Sequence, residues 1–143
     1  MTTLYPYLNF SGNAEEAFEF YRSVFGGEFS ALVRFRDMSI PGVEIPEADR
    51  DKIMHMSLPI GSDSVLMASD ALTSLGQDVQ QGNSSYICVS PSSKEEADAI
   101  FNGLSAGGSI EMPLADQIWG DYFGSFKDRF GTMWMVNYGA PKA

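Results

Sequence analysis

An internal repeat limits the folds open to this chain more than any other feature of its sequence. The segment Asn13–Ala17 (NAEEA) is followed by Phe25–Gly27 (FGG), and the segment Ser93–Ala97 (SKEEA) is followed by Ala106–Gly108 (AGG). The Glu-Glu-Ala elements lie 80 residues apart and the Gly-Gly elements 81 residues apart. A spacing kept to within one residue indicates two copies of one structural unit.

Each copy contains one predicted amphipathic helix. In the first, Asn13 is a candidate N-cap with Glu16 in the capping-box position, and Gly26 is typical of the residue that ends a helix. In the second, Ser92 or Ser93 takes the cap position. Apolar residues recur at the spacing of one buried helix face: Ala14, Ala17, Phe18, Tyr21, Val24 and Phe25 in the first helix, Ala97, Ile100, Phe101 and Leu104 in the second.

Strands are predicted around both helices, in the order βαβββ written twice, which makes the fold class α+β. We expect one domain over 1–143, with module one at 1–71, a linker at 72–83 and module two at 84–139. The first copy carries an extra loop at 37–52. The predicted strands lie near 4–10, 28–36, 53–60 and 64–70 in the first module and near 84–90, 109–115, 121–127 and 132–138 in the second.

Composition narrows the classes of partner. The net charge is -10 and the chain has only 9 Lys and Arg residues, which argues against nucleic acid as a partner. A surface of this kind keeps a protein in solution and attracts cationic ligands. The single cysteine, Cys88, excludes an internal disulfide and favours a reducing compartment. The start of the sequence has no signal-peptide pattern and no stretch is apolar enough to span a membrane, so the sequence predicts a cytoplasmic protein.

The two modules resemble the vicinal oxygen chelate superfamily, which includes glyoxalase I, the bleomycin-binding proteins and the extradiol dioxygenases. The likeness is greater to its PhnB-like branch and runs over almost the whole chain. The segments that carry it are Pro6–Ala14, Phe20–Tyr21, Phe25–Gly27, Ile53–His55, Leu66–Asp70 and Phe123–Asn137.

The resemblance implies a shape and a place for metal ligands. Each module curls its mixed sheet into half of a central cleft, with the helices on the convex side. Metal-using members place one ligand on the first and one on the fourth strand of each module. These positions fall here on Pro6, Met67, Tyr86 and Met135, none of which is a usual divalent-metal ligand. We therefore expect no metal and no cofactor.

Other residues are candidates for a ligand site. In the strand at 53–60, His55 and Ser57 alternate with apolar residues, so His55 is expected to face the cleft as a binding or acid–base residue. Trp119 is expected at the mouth of the cleft and Trp134 in the core, while Asp70 ends its strand with a turn made by its side chain. The predicted ligand-binding residues are Pro6, Leu8, His55, Met67, Tyr86, Trp119, Phe123, Met135 and Asn137.

These observations favour a homodimeric, metal-independent protein that binds a small molecule and has neither a nucleic-acid nor a membrane partner. Two alternatives stay open. One is a lyase, isomerase or dioxygenase-type enzyme with an atypical site, in which His55 is the only catalytic candidate. The other is an antibiotic-sequestering protein whose acidic surface attracts a cationic drug. A methyltransferase is disfavoured, because no Gly-rich nucleotide turn follows the first strand.

Overall fold

The computed structural model describes residues 2–139, which divide into two compact units at Gln80 and Gln81. Each unit has four strands and one α-helix, in the order predicted from the repeat. The first unit contains β1 (Tyr7–Phe10), α1 (Ala14–Phe25), β2 (Ala31–Arg34), β3 (Ile53–Ile60) and β4 (Ser64–Asp70). The second contains β5 (Ile87–Val89), α2 (Lys94–Ser105), β6 (Ser109–Asp116), β7 (Tyr122–Lys127) and β8 (Met133–Tyr138).

The two sheets have the same topology. The strand order is β1-β4-β3-β2 in the first and β5-β8-β7-β6 in the second, and each sheet pairs its first and fourth strands in parallel. The remaining pairs are antiparallel. The fold is therefore α+β with two open, mixed βαβββ sheets, as the sequence predicted. Within residues 2–139, no helix combines the length and apolarity that crossing a bilayer requires.

The buried helix faces agree with the predicted stripes. In α2, the buried residues are the four that the spacing selected, and the ring of Phe101 meets that of Phe126 on β7 edge to face at 5.0 Å. In α1, Phe18 packs edge to face on Phe10 of β1, with 6.3 Å between ring centroids. Trp134 is 1% exposed, which confirms its expected place in the core. Each core thus lies between one helix and one face of its own sheet.

Asn13 occupies the N-cap position of α1 as predicted, but its side chain makes no capping hydrogen bond. Asp70, at the end of β4, provides the acceptor instead, since its Oδ1 accepts hydrogen bonds from the backbone N–H groups of Gly12 (3.1 Å) and Ala14 (2.9 Å). Its Oδ2 accepts a third from the N–H of Ile53 at 2.8 Å. The side chain of Asp70 thus joins the start of α1 to β3 and β4, which is more than the turn predicted for it.

The second unit satisfies its backbone donors with different side chains. Ser93 caps α2 as expected, and its Oγ accepts from the N–H of Glu96 at 3.1 Å. Asp128 organises the turn between β7 and β8: its Oδ1 accepts from the N–H groups of Phe130 (2.8 Å) and Thr132 (3.0 Å), and its Oδ2 from the Trp134 indole at 2.8 Å. A buried carboxylate therefore satisfies backbone donors in both units.

The strands at the start of each unit are shorter than predicted, and the extra loop contains short helical turns. Two short 3₁₀ helices, Phe35–Asp37 and Glu47–Asp49, lie at its ends. The Asp49 carboxylate pairs with the Lys52 ammonium at 2.7 Å and accepts from the Ser74 hydroxyl at 2.7 Å, and these two contacts lower the pKa of Asp49. Ser74 lies in the predicted linker, so the start of that linker packs on the first unit.

Asp70→Ala should destabilise the protein strongly, because it leaves three backbone N–H groups at a buried position without their acceptor. We expect the free energy of unfolding to fall by about 2–4 kcal/mol. Chemical denaturation followed by circular dichroism measures this. Asp63→Ala is the matched control, since Asp63 is exposed in the β3–β4 turn, and it should change the free energy by less than about 0.5 kcal/mol. Equal effects of the two variants would contradict the role given to Asp70.

Candidate functional site

In each unit the helix covers one face of the sheet, and we call the other face the open face. Strand residues alternate between the two faces, and cross-strand partners share a face. In the first unit the partners Leu8, Ala68 and Met56 lie on the face that packs on α1, where Met56 and Ala68 are fully buried. The residues between them therefore point to the first open face.

The first open face carries uncharged polar side chains together with apolar ones. Tyr7 of β1 pairs with Met67 of β4, and Met67 pairs with Ser57 of β3. Next to them, Asn9 pairs with Ser69. Val33 of β2 pairs with His55 on the same face. We define the first open face by Tyr7, Asn9, Val33, His55, Ser57, Met67 and Ser69.

His55 is the centre of a set of contacts on this face. Its Nε2 and the Oγ of Ser57 form a hydrogen bond of 2.8 Å, and its ring centroid lies 5.9 Å from that of Tyr7. The Ser69 hydroxyl donates to the Asn9 amide oxygen at 3.3 Å. Within residues 2–139, Nδ1 of His55 has no hydrogen-bond partner. The imidazole is thus held at one nitrogen, and its other nitrogen can take part in a further hydrogen bond.

The second open face has aromatic and sulfur-bearing side chains. Cys88 of β5 pairs with Met135 of β8, and Phe123 of β7 pairs with Asn137. Trp119 lies beside Phe123, with 6.0 Å between the ring centroids. We define the second open face by Cys88, Met112, Phe123, Ser125, Met135 and Asn137.

Polar contacts fix parts of this second face. The Asn137 amide donates to a carboxylate oxygen of Asp121 at 3.2 Å. The Tyr86 hydroxyl donates to Oε1 of Glu111 at 2.9 Å, and this hydrogen bond raises the pKa of the Tyr86 phenol. Burial raises the pKa of the Cys88 thiol, so the thiol is protonated at neutral pH.

The structure brings most of the predicted ligand-binding residues to one or other open face. His55 and Met67 lie on the first open face, and Phe123, Met135 and Asn137 lie on the second. Trp119 contacts the ring of Phe123. Tyr86 precedes β5 and reaches Glu111. Pro6 and Leu8 are not on the open face. Leu8 pairs with Ala68 on the side that packs on α1, and Pro6, two residues earlier, lies on that same side by alternation.

In the first strand of each unit, the residue that pairs with the methionine of the fourth strand is not the one expected. It lies one residue later in β1 and two residues later in β5. Met67 pairs with Tyr7 rather than Pro6, and Met135 pairs with Cys88 rather than Tyr86. The predicted ligand-binding set therefore lacks Tyr7, Asn9 and Cys88. It also lacks Ser69, and it lacks Ser57 although the sequence places Ser57 on the same face as His55. One signal was available: Phe10, a large apolar residue at the end of β1, is 2% exposed. Because side chains alternate along a strand, its burial determines which residues of β1 face α1 and which lie on the open face.

The residues that pair on the first and fourth strands, Tyr7 with Met67 and Cys88 with Met135, do not fit a divalent metal such as the metal-using members of the superfamily hold. They offer a phenol and a thioether in the first unit and a thiol and a thioether in the second, whereas hard and borderline cations prefer carboxylate, imidazole and thiolate. Among residues 2–139, no group of three or more His, Cys, Asp or Glu side chains could hold a metal ion.

Comparisons with known proteins agree with the fold. The family model of the Glyoxalase/Bleomycin resistance protein/Dioxygenase superfamily matches residues 6–136. Protein YjdN of Escherichia coli is 30% identical over 94% of this chain and 93% of its own length. The crystal structure of protein PA1353 from Pseudomonas aeruginosa is similar with a TM-score of 0.85 and 40% identity, covering 97% of this chain and 98% of that one. The PhnB protein from Bacillus cereus is similar with a TM-score of 0.75 and 25% identity, covering 96% of this chain and 100% of that one.

Proposed function

Because the chain belongs to the glyoxalase/bleomycin resistance protein/dioxygenase superfamily, we propose that it binds an organic small molecule on its first open face without a metal ion. The observation that carries the proposal is the contact set of His55, which is held by Ser57 and lies beside the Tyr7 ring on a face that α1 leaves uncovered. A flat ring beside an imidazole with one free nitrogen provides both an apolar contact and a directional hydrogen bond.

The chemistry of this face favours an uncharged ligand. A phenol, an amide, two hydroxyls and a thioether lie around His55, together with the apolar side chain of Val33, its partner on β2. None of these groups carries a permanent charge. Tyr7 is 47% exposed, so its ring is accessible. We infer a neutral aromatic or heteroaromatic molecule with a carbonyl or hydroxyl group, stacked against Tyr7 and hydrogen-bonded to Nδ1 of His55.

An enzyme is the second candidate, and the free Nδ1 of His55 is the observation that favours it. A general acid or base needs one nitrogen directed at the substrate while the other is held. Ser57 supplies that hold through the 2.8 Å hydrogen bond. The two candidates differ in whether a bound molecule is turned over.

Substitutions on the first open face should weaken binding, and a library of neutral aromatic fragments tested by saturation-transfer NMR provides the measurement. Tyr7→Ala removes the stacking ring, and His55→Gln replaces the imidazole with an amide that has no polar atom at the Nδ1 position. Each should raise the dissociation constant of the best fragments about 5- to 30-fold, the equivalent of about 1–2 kcal/mol. Leu75→Ala is the control, because Leu75 is 42% exposed and lies outside the sheet.

Three results separate the possibilities. Fragments that bind the wild type and Leu75→Ala but not the other two variants support a binding face. A fragment that is chemically converted by the wild type, and bound but not converted by His55→Gln, supports the enzyme. Fragments that bind all four proteins equally, or bind none, would contradict the site.

We further propose that the protein is a homodimer in the cytoplasm. β6 is an edge strand of eight residues in which every residue except Leu114 is exposed, and a long open edge favours pairing with another chain. The single, unpaired Cys88 fits a reducing compartment. Light scattering after size exclusion should give twice the chain mass of 15.7 kDa. A mass of one chain at micromolar concentration would rule the dimer out.

A further inference from the structure

β3 contains a β-bulge directly beside His55. On β2, Val33 pairs with His55. The next residue, Arg34, pairs with Ile53, so one step along β2 corresponds to two steps along β3. Met54 is therefore the extra residue on β3. A bulge bends its strand and redirects the side chains next to it, and bulges are frequent beside functional sites.

The bulge decides the face on which His55 lies. Ile53 is 1% exposed and Met56 is fully buried, so both point to the side that α1 covers. In a regular strand Ile53 and His55, two residues apart, would share a face. The extra residue, Met54, separates them. Ile53 is thus buried against α1 while the imidazole lies on the first open face beside the Tyr7 ring.

Arg34 joins the end of β2 to the segments around the bulge. Its guanidinium donates two hydrogen bonds to the Glu15 carboxylate on α1, at 3.0 and 2.7 Å, and a third to the backbone carbonyl of Asp51 at 2.8 Å. Asp51 lies two residues before the start of β3. The backbone N–H of Arg34 donates to the Asp37 carboxylate at 3.0 Å. Arg34 therefore ties β2 both to α1 and to the chain that enters β3.

The contact between Arg34 and Glu15 has a geometry that fixes orientation. Two parallel N–H···O bonds from a guanidinium to one carboxylate set the angle between the groups as well as their distance. The hydrogen bond from Arg34 is the main reason that the pKa of Glu15 is lowered. The pair thus remains ionised at acidities that protonate an ordinary glutamate.

β2 needs this anchor because it is short and lies at the edge of its sheet. It has four residues and is the last strand in the order β1-β4-β3-β2. A slip of one residue turns the side chains of a strand to the opposite face, and four residues provide few pairs that resist it. Asp70 fixes the β3 side of the bulge through the N–H of Ile53. Arg34 fixes the β2 side.

We propose that Arg34 is a positioning residue for His55. Its side chain lies on the α1 side of the sheet, so it acts through the backbone of the bulge and not by contact with a ligand. By holding the bulge in register it keeps the imidazole beside Tyr7 and bonded to Ser57, with Nδ1 free. This role rests on the ligand site proposed for the first open face, and it extends that site to a residue on the opposite face.

NMR of the full-length protein tests this role without a ligand, because His55 is the single histidine of the chain. Long-range proton–nitrogen spectra report the two ring nitrogens, and nuclear Overhauser effects (NOEs) report contact between the His55 and Tyr7 rings. Arg34→Gln removes the charge and the guanidinium fork. We expect this variant to lose NOE intensity to Tyr7. Its Nε2 chemical shift should move toward that of an imidazole without the Ser57 hydrogen bond.

Arg22→Gln is the matched control. Arg22 also pairs with two carboxylates, Glu19 and Glu28, at 2.9 and 3.1 Å. Its side chain is 34% exposed, against 30% for Arg34. It lies in the last turn of α1, whereas Glu15 lies in the first. We expect a loss of thermal stability comparable to that of Arg34→Gln, with the imidazole signals unchanged.

Glu15→Gln is a milder second variant, because it removes the carboxylate but keeps one acceptor for Arg34. It should change the imidazole signals in the same direction and by less. The double variant Arg34→Glu with Glu15→Arg restores an ion pair between β2 and α1, and it should recover NOE intensity between His55 and Tyr7. Unchanged imidazole signals in both single variants would overturn the positioning role. Equal changes in Arg22→Gln would overturn it as well.

Fragment binding separates this role from the ligand site on which it rests. Neutral aromatic fragments that bind the wild type should have higher dissociation constants for Arg34→Gln. The increase should not exceed that of His55→Gln, since the imidazole is displaced and not removed. Equal binding to the wild type and Arg34→Gln would contradict the positioning role and leave the ligand site standing. If no fragment binds the wild type, the ligand site is wrong, and the NMR spectra decide whether Arg34 orients His55.

Discussion

The Asp70 carboxylate holds three segments of the first unit in place, and the chemistry of the first open face depends on this. Its two oxygens accept hydrogen bonds from Gly12, Ala14 and Ile53. These bonds fix the end of β4 against the start of α1 and the start of β3. A shift of one residue in either strand would turn every side chain to the opposite face. The position of His55 beside Tyr7 therefore follows from a bond network that contains neither residue.

The two units share a topology but present different chemistry on their open faces. Equivalent strands carry Met67 beside Tyr7 in the first unit and Met135 beside Cys88 in the second. The first face offers neutral hydrogen-bonding groups around an imidazole, while the second offers sulfur and aromatic rings. A repeated fold thus supplies two surfaces whose chemistry differs because a few side chains on the open faces differ, and not because the backbone does.

Local periodicity made the fold predictable from the sequence, whereas strand register limited the prediction of the site. The stripe of Ala97, Ile100, Phe101 and Leu104 was visible because a helix repeats within a few residues. The cap of α1 was not, since the acceptor comes from Asp70, far along the chain. β1 has only four residues, so its alternation alone gives little information, and its parity is fixed by packing of Phe10 on α1. For this reason Tyr7 and Asn9 lie on the open face, where Pro6 and Leu8 were expected.

A crystal structure of the protein with a bound neutral aromatic fragment tests the central claim most directly, namely that the first open face holds an organic molecule. We predict density for the fragment over the ring of Tyr7, with a polar atom within about 3.2 Å of Nδ1 of His55. The Ser57 hydrogen bond to Nε2 should be kept. Density for the same fragment only at sites away from Tyr7 and His55 would contradict this claim.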